Sequence, residues 1–75
     1  MKKQDYTRRR RALSSKLVEA REAAGFTQKQ VAETGIIAQS DLSKIENGMR
    51  KVDFLFLIEL AELYGKSVEF FVPDK

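Results

Sequence analysis

The run Phe26-Thr27-Gln28-Lys29-Gln30-Val31 constrains the fold more than any other stretch of the chain. A threonine three residues ahead of a glutamine forms a capping box. Thr27 is the N-cap, Gln30 sits at the third helical position, and each side chain bonds the other's backbone N–H. Phe26 before the cap and Val31 at the fourth position add a hydrophobic staple that fixes how the chain enters the helix. A short helix therefore starts at Gln28, runs to about Thr34 and closes at Gly35. Just upstream, Leu13, Leu17, Ala20 and Ala24 are spaced 4, 3 and 4, one face of an earlier helix that Gly25 stops.

The same logic segments the rest. A third helix carries Leu42, Ile45 and Met49 inward and Gln39, Ser40, Ser43, Lys44 and Asn47 outward, and ends at Asn47-Gly48. A polar loop, residues 49–52, leads to Asp53, a good N-cap. A fourth helix follows from Phe54 to Tyr64 and stops at Gly65. Ser67 caps a final turn holding Val68, Phe70 and Phe71, and Pro73 ends it. Phe54–Ile58 alone could be a buried strand. Its continuation to Gly65 makes a helix of more than ten residues, and no partner strand is present. The expected fold is all-α: a compact bundle of about five short helices with a central helix-turn-helix. With 75 residues there is room for one domain, assigned to residues 12–72 behind a basic N-terminal arm, 1–11.

Residue content removes whole classes of function. There is no Cys and no His, so zinc fingers, thiolate nucleophiles and Ser–His–Asp triads are excluded, and no enzyme and no cofactor are expected. Glu59 and Glu62 form a solvated face with no other polar chemistry beside them. No apolar run approaches the roughly 20 residues of a membrane span, so a soluble, cytoplasmic binding module is expected. Charge is graded along the chain. Residues 1–25 hold eight basic and three acidic side chains, a net +5, residues 26–51 a net +1, and residues 52–75 a net −3. A basic front suits a polyanion on one side. In a helix starting near Tyr6, Arg8–Arg11 would crowd the positive pole, which the macrodipole disfavours, and phosphate is the natural counter-charge for Arg9 and Arg10.

Phe26-Thr27-Gln28-Lys29-Gln30-Val31-Ala32-Glu33 followed by Gln39-Ser40-Asp41-Leu42-Ser43-Lys44-Ile45-Glu46-Asn47-Gly48 resembles the Xre/Cro phage-repressor-type helix-turn-helix family, with a lambda-repressor-like fold. The likeness runs from about Leu13 to Phe71. It implies double-stranded DNA as partner and a role as transcriptional regulator or repressor. Gln28 would bond a backbone phosphate; Gln39 and Ser40 would reach base edges in the major groove; Ser43 and Lys44 lie on the same face; Asn47, Arg50 and Lys51 match positions that touch phosphate. Arg21 and Glu46 match a pair that locks the first helix to the third. The chain departs from the family at three points. Gly35-Ile36 reverses the usual order, so either the turn begins one residue early or Ile36 takes a left-handed conformation. Ala38 cannot cap, so the reading helix begins there uncapped or later, at Ser40. Lys66 replaces an apolar residue. Asp41, awkward near phosphate, pairs with Lys44 or accepts from cytosine.

The fourth helix carries two apolar stripes. Phe54, Leu57, Ile58, Ala61 and Tyr64 form one, and Phe56, Leu60 and Leu63 the other. The second suggests a homodimer built on Leu55, Phe56, Leu63 and Phe70, with Val72 at its edge. Such a dimer would set two reading helices about 34 Å apart. The alternative is burial of that stripe against the first helix. The rival functional reading is an antitoxin-like or adaptor module whose main partner is a protein.

Overall fold

The computed structural model describes residues 2–73. Four α-helices follow in order: α1 (Lys3–Ala23), α2 (Gln28–Glu33), α3 (Gln39–Glu46) and α4 (Phe54–Tyr64). A 3₁₀ turn, Val68–Phe71, follows α4, and no strand occurs among the described residues. The all-helical fold with a central helix-turn-helix is as expected.

The capping box forms as read. Gln30 N–H donates to Thr27 Oγ1 at 3.1 Å, and Thr27 N–H to Gln30 Oε1 at 2.9 Å. Asp53 caps α4 through Phe56 N–H at 2.9 Å. Three of the helices end in the same way. At α3, the Gly48 N–H reaches Ile45 O and the Met49 N–H reaches Lys44 O. This paired closure needs a left-handed residue, which Gly48 supplies at φ +74°. The reversal also throws Met49 outward, 76% exposed. That corrects its expected inward place: the α3 period does not extend past Gly48.

The ambiguity at Gly35-Ile36 resolves in favour of the early turn. Gly35 takes φ +84° and no non-glycine residue among those described has positive φ. Ile36 is half-buried and Ile37 is in the core, 6% exposed. The reading helix begins at Gln39, between the two starts envisaged, with Ala38 as an N-cap that makes no side-chain bond.

The expected arm is helical from Lys3 onward. Nothing in 3–11 breaks a helix, and α1 runs 21 residues. The arginine run thus lies beyond the first turn and away from the positive pole, where the sequence placed it. Asp5, in the first turn, favours that pole and sits 3.6 Å from Arg8.

The core comprises Leu17 and Ala20 of α1, Val31 of α2, Ile37, Leu42 and Ile45 of α3, Leu60, Ala61 and Tyr64 of α4, and Phe71. On α4 the buried line is Leu60, Ala61 and Tyr64, flanked by half-buried Phe56, Leu57 and Leu63. Phe54, assigned to the core face, is 65% exposed. The two stripes merge because α4 is apolar nearly all round. Its orientation comes from packing on α1 and the 3₁₀ turn, not from its own pattern.

Candidate nucleic-acid interface

The inner side of α3 is fastened at several points. Glu46, whose side chain is 3% exposed, accepts from Arg21 Nε at 2.8 Å and Arg21 Nη2 at 3.1 Å. This two-pronged, charge-assisted contact joins the middle of the domain to α1. Arg21 Nη1 also donates to Phe26 O at 2.8 Å, which fixes the α1–α2 corner. The hydrogen bonds to Glu46 hold the Arg21 guanidinium above its usual range, against the opposing effect of burial. Tyr64 lies alongside, its ring 6.3 Å from that of Phe26. Burial, with Glu46 adding to it against the pull of Arg21, pushes the Tyr64 phenol up to about 12.

Gln28 departs from its expected role. Its amide Nε2 donates to Glu46 Oε1 at 2.9 Å, so the side chain turns inward to the Arg21–Glu46 pair instead of standing out toward a phosphate. The cause is local. Glu46 Oε1 is close to the first turn of α2, and a buried carboxylate gains from a third donor.

Ser14 of α1 donates to Ile45 O at 2.9 Å, and Arg10 Nη2 approaches Gly48 O at 3.4 Å. Ile45 O lies in the last turn of α3, where it also accepts from Gly48 N–H, and Gly48 O lies just beyond that helix end. Neither contact was legible in the sequence. A serine inside a helix carries no outward sign of what it bonds, and Arg10 read only as part of a charge run.

The outer side of α3 is bare. Gln39, Ser40, Lys44 and Asn47 are exposed, and Ser43 is half-buried. Asn47 Nδ2 donates to Ser43 Oγ at 3.4 Å. In the following loop Arg50 and Lys51 are exposed, and Arg50 makes an ion pair with Asp41. Asp41 therefore pairs with Arg50 and not Lys44, which leaves Lys44 outward. The Lys51 ammonium lies 5.8 Å from the Tyr6 ring centroid, and the Arg10 guanidinium 6.0 Å from the same ring. The first turns of α1 thus bring Arg9 and Arg10 alongside the 50–52 loop, and the charges separated in sequence share one side of the molecule.

Of the residues assigned to a dimer seam, Phe56, Leu63 and Phe70 pack partly against the chain's own core. Phe70 lies edge-on to Phe71, with the Lys16 and Lys66 ammonium groups 4.7 and 4.9 Å from its ring. Lys66 is thereby accommodated where an apolar residue was expected. Leu55 is 74% exposed and Val72 54%. The outward apolar surface of α4 is thus its first turn, Phe54 and Leu55, and not the Phe56–Leu63 line.

Two short helices joined by a tight glycine turn, the first capped and the second presenting a bare polar side over a locked inner side, define a helix-turn-helix. Residues 17–71 match the Helix-turn-helix family, and the chain belongs to it, in its Xre/Cro-type branch. Over 59 residues it is 39% identical to the HTH-type transcriptional regulator ImmR of Bacillus subtilis (strain 168), a match that spans 79% of this chain and 46% of that protein. The chain thus corresponds to less than half of that relative's length. Tyr6, Arg9, Arg10 and Ser14 all precede the family match.

Proposed function

We propose that the chain is a DNA-binding transcriptional regulator that occupies an operator with α3 in the major groove. The observation that carries this reading is the two-sidedness of α3. Leu42, Ile45 and Glu46 are held inside, while Gln39, Ser40 and Lys44 face out. Gln39 is matched to adenine and Lys44 to guanine O6 and N7, with Ser40 and Ser43 beside them. Arg50, Lys51, Asn47, Arg9 and Arg10 supply phosphate contacts, which give affinity without sequence preference. Gln28 acts through Glu46 as a brace for α3. The Arg50–Asp41 pair keeps Asp41 from repelling the backbone.

The protein acts as a homodimer whose seam centres on exposed Leu55 and Phe54, with the rims of Phe56 and Leu63 at its edge. Two copies so joined read a near-palindromic site with half-sites about 34 Å apart.

Selection of bound sequences from a random duplex pool tests the reading. A defined near-palindromic preference is expected, with affinity falling as salt rises at a logarithmic slope of about −5 for six phosphates. A pool that emerges unenriched would contradict it. Sedimentation at high micromolar concentration tests the dimer: a mass of one chain would overturn that part alone.

A further inference from the structure

A cleft of about 300 Å³ opens between the first turns of α1 and the loop after α3. Its floor is apolar, made by Leu13, Leu17, Ile45 and Val52, and its rim carries Arg9, Arg10, Arg50 and Lys51. No acidic residue among those described lines it. Arg50 is committed to Asp41. Arg9, Arg10 and Lys51 have no carboxylate partner among the described residues. Arg10 makes a long contact to Gly48 O and, like Lys51, lies over the Tyr6 ring. Arg9 is the informative side chain. Its Nε is buried and meets no acceptor among the described residues. A buried donor without an acceptor calls for an explanation, and an anion seated in the cleft would supply the acceptor; the Tyr64 hydroxyl, likewise buried without a partner, does not line the cleft.

We propose that this cleft binds a small amphipathic anion: an apolar body of about ten non-hydrogen atoms ending in one anionic head group. The body covers Leu13, Ile45 and Val52, and the head group accepts from Arg9 Nε and offsets part of the charge of Arg10 and Lys51. The volume is about ten times the share of one water in the liquid, which sets the size of the body. An apolar floor with a few converging polar groups is the usual form of a small-molecule site. The consequence for regulation rests on the DNA-binding reading above. Arg10 and Lys51 are among the charges assigned to phosphate, so a bound anion competes with the duplex for them. Each phosphate-directed charge removed weakens DNA binding by about tenfold near 0.1 M salt.

The test uses octanoate as probe, with octanol as the uncharged body and acetate as the bare head group, on the whole chain with methyl NMR. Octanoate is expected to shift the Leu13, Ile45 and Val52 methyl signals saturably, at about 1 mM or tighter. Octanol should bind at least fivefold more weakly, and acetate should leave these signals unmoved. Arg9→Gln and Lys51→Gln should each weaken octanoate, and Lys29→Gln on α2 should not. Having two variants guards against one failing to fold. Absence of saturable shifts, or octanol binding as well as octanoate, overturns the site. So does octanoate binding that is undiminished in both variants. On the selected duplex, octanoate at saturation should lower affinity at least tenfold. Bound octanoate with unchanged DNA affinity overturns the regulatory half. A chain with no sequence preference even without octanoate overturns the DNA reading and the regulation built on it, while the methyl shifts alone decide the site.

Discussion

The inner and outer sides of α3 are built from the same eight residues, yet they follow opposite rules. Inside, Leu42 and Ile45 are buried, and Glu46 accepts from two residues of other helices. Outside, Gln39, Ser40 and Lys44 make no side-chain hydrogen bond or ion pair among the described residues. A domain this small buries only about 60% of its unfolded surface, so leaving polar groups unbonded in a folded helix is not a stability device. The difference separates the positions that hold the fold from those available to a ligand.

The largest expected effect tests the inner side. Glu46→Ala leaves the Arg21 guanidinium part-buried without its carboxylate and strands the Gln28 amide. A loss of about 3–5 kcal/mol is expected in urea unfolding. A loss below about 1 kcal/mol would mean that the lock is a surface pair of little consequence.

The pH response of Tyr64 sharpens the same contrast. Its phenol is raised from 10.0 to about 12 in the folded state. The folded state therefore favours the protonated form. The stabilisation is complete below about pH 10 and is lost as the pH climbs through about 12, amounting to about 3 kcal/mol. Denaturation midpoints at pH 9 and pH 11.5 for wild type and Tyr64→Phe measure it. The phenylalanine variant should lack this component of the slope.

Ser14→Ala is smaller. It removes one hydrogen bond to the end of α3, and a loss of about 1 kcal/mol is expected. The smallest effect is on the outer side. Gln39→Ala and Lys44→Ala should change stability by less than about 0.5 kcal/mol, because neither side chain has a partner within the fold. A larger loss in either would show that the outer side is not bare.

What could be read from the sequence divides along a physical line. The caps of α2 and α4 were legible because cap and partner lie three residues apart, and the helix ends because glycine marks a left-handed turn. The Arg21–Glu46 lock spans 25 residues and came only from family resemblance. The inward turn of Gln28 is not legible locally because its partner is 18 residues away. The length of α1 is not legible because a charged run without apolar period looks like an arm. Tyr6, which faces Lys51 across the cleft, gave no signal. The buried side of α4 was ambiguous because eleven mostly apolar residues define no face of their own. In the candidate site the outward side of α3 was readable residue by residue. The contribution of the first turns of α1 was not, because it depends on tertiary contacts with the loop after α3.

The central claim is that the bare side of α3 reads base edges, and a sequence-selection profile of Gln39→Ala beside that of wild type tests it most directly. The account predicts that discrimination collapses at one position of each half-site, by about 1–3 kcal/mol, while the other positions and the fold are retained. An unchanged profile from a folded variant would contradict it.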